Sequence, residues 1–391
     1  MATANPAVTA NAAVYESAES NIPWYLWCAV LAVTSVTIGA HWDVSWHRSI
    51  GRDTFWTPAH MAIYACGVLA GICCSYLIFN TTFRSASDLR SSSVGVFGFR
   101  APLGAFLAAW GGVAMLTSAP FDNWWHNAYG LDVKIVSPPH TLLMLGIFAI
   151  EVGSLFLITA AMNRADGALF KKLQWLLLYL GGLMVVLTMF FRMEYTWDVR
   201  LHTAEAYISV AIGVPTYFAM FWESSRHRWA ATITTAFYSL FLIGLILILP
   251  LFPAEPKLGP VYQPVHQFIP PLFPLLLIVP AFFMDMLLAK TQTWKPWLIA
   301  LISGPVFVLT FVGVEWPFAN FLMAKAADNR FFGAGYLDYG TPSWSHAALR
   351  TFLDPEHGFV LWKGLAFAML YAAISTWIGI ALGKWMRKVQ R

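Results

Sequence analysis

Charge is what this sequence has least of. Only 11% of its 391 residues are Asp, Glu, Lys or Arg, against 58% hydrophobic, whereas a soluble domain carries about 25% charged residues. That shortage argues against a water-soluble fold. Cysteine is equally sparse. Cys28, Cys66, Cys73 and Cys74 fall in apolar stretches without a C-x-x-C pair, so they are expected to pack rather than to form disulfides. No basic run is interleaved with aromatics, and no nucleic-acid surface is expected. Residues 1–22 hold Glu16 and Glu19 but no Lys or Arg. The basic start of a signal peptide is missing, so this segment reads as a retained polar tail. The residue alternation of a membrane β-barrel is also absent, which leaves helices as the way to satisfy backbone groups in lipid.

Long apolar runs, by contrast, are abundant. A helix needs about 20 mostly apolar residues to cross a bilayer. Candidate spans are Pro23–Ala40, Met61–Phe79, Ala101–Ser118, Thr141–Asn163, Leu173–Phe191, Ala206–Trp222, Ala231–Leu251, Phe268–Leu288, Trp297–Val314 and Phe359–Leu382. The expected fold is an all-α polytopic membrane protein with about ten transmembrane helices. Many of the 19 Trp, such as Trp42, Trp56, Trp124 and Trp316, lie near span ends, as in an interfacial belt. Loops after even-numbered spans, with the C-terminal tail, carry 14 basic residues, and loops after odd-numbered spans carry 9. The positive-inside rule then places both termini in the cytoplasm and the odd loops outside a cell (inner) membrane. The chain divides into the tail 1–22, a first membrane region 23–163, and a further helical region 164–391 with a long outward loop 324–356.

One internal correspondence stands out. Asp43-Val-Ser-Trp46-His47 leading to Pro58-Ala-His60 matches Asp122-Asn-Trp-Trp125-His126 leading to Pro138-Pro-His140, and Gly51 and Asp53 match Gly130 and Asp132. Each copy reads as a span whose end carries Asp and His four apart, a turn, and a new span opening with Pro-x-His, which makes a tandem helix-pair repeat in one orientation. Residues four apart share a helix face, so each Asp-His pair can grip one ion. Proline favours the first helical turn and so places His60 or His140 beside that pair. Three N/O ligands leave coordination open for water or substrate. Imidazole with carboxylate suits copper, zinc or non-haem iron, and spacing alone does not choose among them.

The run Asp43-x-x-Trp46-His47-x-x-x-x-Arg52-Asp53-Thr54-x-x-Thr57-Pro58-x-His60 resembles the signature of the C subunit of copper-dependent membrane monooxygenases, the particulate methane and ammonia monooxygenases. The resemblance covers about residues 27–163. It implies that Asp43, His47 and His60 ligate copper and carry the catalysis. It also implies that a second family site, built from an Asn and two His, falls on Asp122, His126 and His140. Asp122 stands where the family has Asn, which makes the second site more anionic. The resemblance further implies dioxygen activation, a small apolar or amine substrate, an electron donor, and an oligomer with other subunits, one of them bearing a periplasmic cupredoxin-like domain.

Weaker echoes follow downstream. Glu255 closes span seven and Pro264-Val-His266 opens span eight; Glu315 closes span nine and Pro355-Glu-His357 opens span ten. Glu194-x-x-x-Asp198-x-x-x-His202, with Glu205 nearby, would put three ligand-type side chains on one helix face. Trp344 and His346 could cap the outward side. Asp198, His202, His266 and His357 are therefore possible further metal or proton sites. Glu151, near mid-membrane, is another, because an intramembrane carboxylate is costly. Lys363 lies near a span end and can snorkel, and Asp285 lies near the cytoplasmic end, so neither is read as functional. Gly67-x-x-x-Gly71 has the spacing of a close helix contact. The leading expectation is a copper oxidoreductase of the lipid bilayer. The alternatives are a copper or metal-ion transport or assembly protein, which neither an inverted repeat nor a helix broken at midplane supports, and a structural subunit.

Overall fold

The computed structural model describes residues 21–84, 89–130, 136–332, 344 and 354–391. Most of the tail, Asp132 and His346 lie outside the described residues. Among the described residues, nine helices or helix pairs are long and apolar enough to cross a membrane, so this is an integral membrane protein of the all-α polytopic class. Five make the first part: α1 (Trp24–Ser49), α2 (Pro58–Phe83), α3 (Leu103–Tyr129), α4 (Pro138–Arg164) and α5 (Gly167–Phe190). Their shared core includes Leu26, Val33, Cys66, Cys74, Ile150 and Leu177. All four cysteines are free, and three of them are buried. A short hairpin, β1 (Val94–Val96) with β2 (Phe99–Ala101), precedes α3. The second part comprises α6 (Ala204–Ala211), α7 (Val214–Ser225), α8 (Ala230–Ile248), α9 (Ile278–Lys290), α10 (Pro296–Leu322) and α11 (Gly358–Met386).

Two spans differ from the sequence expectation. The sixth is a broken helix, contrary to the expectation that none would be broken. α6 stops and α7 starts around Gly213, whose φ of +119° suits glycine alone, and Pro215 then occupies the first turn of α7. The carbonyls freed by the break are taken up from outside the helix. Arg192 donates through Nε to Ser209 O at 2.8 Å and through Nη2 to Ile212 O. Ser375 of α11 donates to Ala211 O at 2.9 Å and accepts from Gly213 N–H at 3.1 Å. The eighth span, expected as a helix from Phe268, is helical only from Ile278. Pro270, Pro271 and Pro274 hold the chain extended, because proline fixes φ and turns its preceding residue away from helix. Side chains satisfy the extended backbone: Ile269 N–H donates to Ser49 Oγ at 2.7 Å, Leu275 N–H to Tyr238 Oη at 3.1 Å and Leu276 N–H to Glu315 Oε2 at 2.8 Å. Glu315 therefore does not close a span as expected but lies fully buried inside α10. Asp285 is fully buried in α9 and accepts from Ala231 N–H, Thr232 N–H and Thr232 Oγ1 at the start of α8.

Cross-chain contacts fix which ends belong together. Leu258 N–H donates to Ile50 O at 2.8 Å, Lys257 Nζ to Ser49 O at 2.6 Å, and Glu356 N–H to His202 O at 3.0 Å. Trp344 packs its ring against Tyr262 at 6.1 Å. Connections after odd-numbered spans thus gather at one end. At the other, Asn163 donates to Met386 O and Val389 O at 2.8 and 2.7 Å.

α2 is the central helix of the first part, packed against both α1 and α3. Its contact with α3 depends on bare backbone. A Cβ on Gly112 would lie 2.8 Å from Gly67 O and 2.9 Å from Gly71 Cα, whereas a Cβ on Gly71 meets nothing within 4 Å. Small residues let helices approach this closely in a membrane. Gly112→Ala should therefore force α2 and α3 apart and lower stability by about 1–3 kcal/mol. Gly71→Ala should be neutral or stabilising, since alanine is the better helix former. Thermal unfolding of the two variants in detergent checks this, and equal melting points would refute the contact.

Candidate metal centre

The end of α1 carries Asp43 and His47 and stops at Ile50. The following Gly51 has φ +110°, and its N–H, like that of Ile50, reaches back to Trp46 O. Trp46 Nε1 then donates to Arg52 O at 3.1 Å. Thr54 N–H donates to Thr57 Oγ1 at 2.7 Å, and Pro58 opens α2 in the helical first turn where its missing N–H costs nothing. This turn sets Asp53 and His60 against Asp43.

His60 Nδ1 lies 2.9 Å from Thr54 O. A carbonyl oxygen can only accept, so Nδ1 carries a hydrogen and Nε2 of the neutral ring offers a lone pair. That Nε2 is 3.2 Å from Asp43 Oδ1 and 3.0 Å from Asp53 Oδ2. Ligand atoms of Asp43, Asp53 and His60 all lie within 4.8 Å of one another. His47, half exposed, stands at the edge, its Nε2 3.3 Å from Asp53 Oδ2 and 3.9 Å from Asp43 Oδ2. The expected Asp43, His47 and His60 are thus brought together, and the structure adds Asp53. Sequence reasoning gave Asp53 no ligand role, although its match to Asp132 was a usable signal. Burial opposes ionisation of Asp53, but the imidazoles of His47 and His60 outweigh it and hold the carboxyl well below the usual carboxylate range.

The second cluster is built from the same local parts. Pro120 inside α3 removes one backbone hydrogen bond just before Asp122. α3 ends at Gly130, with φ +97°. His126 Nδ1 faces Gly130 O at 3.3 Å, which again leaves Nε2 as the ligand atom, 3.4 Å from Asp122 Oδ2. Ser137 caps α4, accepting from His140 N–H at 3.4 Å, and His140 Nε2 is 3.4 Å from Asp122 Oδ1. The ligand atoms of Asp122, His126 and His140 also lie within 4.8 Å of one another, all three as the sequence led us to expect.

In both clusters one carboxylate oxygen, Asp43 Oδ1 or Asp122 Oδ1, is shut off from solvent and makes no hydrogen bond. With neutral rings acceptor would face acceptor, so the arrangement needs a cation among the atoms, either a proton on an imidazole, which makes each contact an ion pair, or a metal ion. Oxygen and imidazole ligands with partial solvent access suit copper, zinc or iron with an open position. Tyr64 lies one turn beyond His60, with ring centroids 6.0 Å apart.

The remaining candidates are not assembled into such sites. The 191–203 segment is a series of turns and a short 3-10 helix, Asp198–Arg200, so Glu194, Asp198 and His202 do not share a helix face. Asp198 accepts from Val199 N–H at 2.9 Å, and burial raises its carboxyl above the usual range. His202 is buried against Trp316 at 4.9 Å and hydrogen-bonds Asn320 Oδ1 at 2.9 Å. Glu205 pairs with Arg200 at 2.9 Å. His266 and His357 are exposed. Glu151 is buried in α4, and its Oε1 has no hydrogen-bond partner among the described residues.

No protein-family model, curated protein or solved structure matches this chain.

If Asp53 is a ligand, Asp53→Asn should weaken metal binding at the first cluster about 10- to 100-fold and leave the second unchanged. Competition titration with a metal chelator measures this. Unchanged affinity would remove Asp53 from the ligand set.

Proposed function

We propose that this chain is a copper-binding membrane oxidoreductase, related to the C subunit of copper-dependent membrane monooxygenases, that acts alone or as a subunit in oxidising a small apolar or amine substrate with dioxygen. One observation carries the reading. In two places a solvent-shielded carboxylate oxygen without a hydrogen bond faces an imidazole Nε2, Asp43 with His60 and Asp122 with His140. The donor set fits copper, and the Asp43 to His60 signature favours it over zinc and iron.

Asp43, Asp53, His47 and His60 would hold one ion; Asp122, His126 and His140 would hold the other. Copper bound there would supply one-electron chemistry and reactivity towards dioxygen. The protein's part is to orient and shield. Thr54 O and Gly130 O fix the His60 and His126 rings through their Nδ1 hydrogens, the outer-sphere partners that set ligand orientation. Phe55 packs on Tyr64, ring centroids 5.2 Å apart, next to His60. An apolar substrate reaches such a site through the bilayer, where it partitions.

The two clusters are expected to hold one copper ion each, Asp43→Ala and Asp122→Ala each removing one, and the purified protein to consume dioxygen when given reductant and a small hydrocarbon or ammonia. A preparation without copper by elemental analysis, or an Asp43→Ala protein with unchanged copper, would end the proposal.

The second reading is a metal-ion carrier or assembly protein, and the discontinuities near Gly213 and Phe268–Leu277 favour it, since transporters place ion sites at broken helices. Against it, the freed Ser209 and Ile212 carbonyls are already occupied by Arg192. Copper uptake into proteoliposomes without any oxygen consumption would support the carrier and displace the oxidoreductase.

A further inference from the structure

Outside the two clusters, metal-ligand chemistry recurs where the two parts of the chain meet. A cavity of about 60 Å³ lies between α1, the end of α5, α8 and the extended segment before α9, and His41, Met189 and Met193 line it together with Tyr238, Phe273 and Leu275. His41 is two residues before Asp43, roughly 200° around the helix at 3.6 residues per turn, so it faces away from the first cluster. Its ring is held edge-on by Phe190 and Phe241, with centroids at 5.1 and 6.2 Å. His41 Nδ1 lies 2.9 Å from Thr37 O one turn back and therefore carries the hydrogen. Nε2 has the lone pair, and among the described residues nothing hydrogen-bonds to it. The Tyr238 hydroxyl is engaged by Leu275 N–H.

We propose that this cavity is a site for a soft monovalent cation, Cu(I), ligated by His41 Nε2 and the thioethers of Met189 and Met193. The ligands are all neutral, and no Asp or Glu lines the cavity. A divalent ion would bring two charges into an apolar setting with no anion to offset them. A monovalent ion brings one, and imidazole with thioether sulfur is the donor set that selects copper in that state. The rest of the wall is mostly Val186, Leu242, Leu272 and other apolar side chains. The site differs in kind from the two carboxylate clusters, which suit harder ions.

The test is anaerobic Cu(I) titration of the full chain in lipid nanodiscs against a chromogenic Cu(I) chelator, followed by copper X-ray absorption. Wild type should bind a Cu(I) whose spectrum contains sulfur scattering. Met189→Leu/Met193→Leu, a volume-conserving change that costs little stability, should lose one Cu(I) per chain and that sulfur signal. It should retain full Zn(II) binding at the carboxylate clusters, which reports that the variant is folded. Absence of sulfur scattering in wild type overturns the site without any variant. Sulfur scattering that persists in the double variant would assign the copper to Cys28, Cys73 or Cys74 and overturn it as well. Because copper at the clusters is read separately by Asp43→Ala and Asp122→Ala, this site and the proposed function can fail independently.

Discussion

Inside a bilayer a backbone N–H or C=O has no water to turn to, and each one left unpaired costs several kcal/mol. Much of the polar chemistry of this protein answers that demand. Where the sixth span breaks, Arg192 and Ser375 take up the freed groups. Where prolines keep the eighth span extended, Ser49, Tyr238 and Glu315 accept its N–H groups. Asp285 does the same for the start of α8. These residues look like intramembrane functional groups in isolation, yet the hydrogen bonds they make go largely to the backbone, with Glu315 Oε1 alone of these carboxylate oxygens left without a partner among the described residues.

That accounting sharpens the contrast with Asp43 and Asp122. Each belongs to a helix that ends normally at a glycine, and no backbone group needs its carboxylate. Each instead turns a shielded oxygen towards an imidazole nitrogen, Asp43 Oδ1 to His60 Nε2 and Asp122 Oδ1 to His140 Nε2. The glycine contact between α2 and α3 sets these clusters on neighbouring helices. The geometry of the site therefore rests on the absence of side chains a few turns deeper in the bundle.

The two parts of the chain divide the work unevenly. The first supplies both clusters, and the second packs against the end of α1 that carries the first cluster: Ser45 Oγ donates to Ile269 O at 2.5 Å, and Ile50 sits in a small core with Leu245, Leu249 and Phe268. The cavity beside His41 lies at this junction too, with Met189 at the end of α5 and Met193 just beyond it on its wall.

The sequence by itself determined the class of fold and six of the seven residues of the two clusters. Apolar runs report burial in lipid directly, and a spacing of four, with proline fixing a helix start, is local geometry that survives folding. Tertiary structure decided what depends on partners distant in the chain. Asp53 became a candidate ligand because a turn carries it back to His60. His202, Glu315 and Asp285 became structural because Asn320, Leu276 and Thr232 meet them. The break at Gly213 is tolerated because Arg192 and Ser375 arrive from other spans to satisfy it. Hydrogen-bond partners across a bundle leave no periodic trace in sequence, and for that reason the clusters were legible and their surroundings were not.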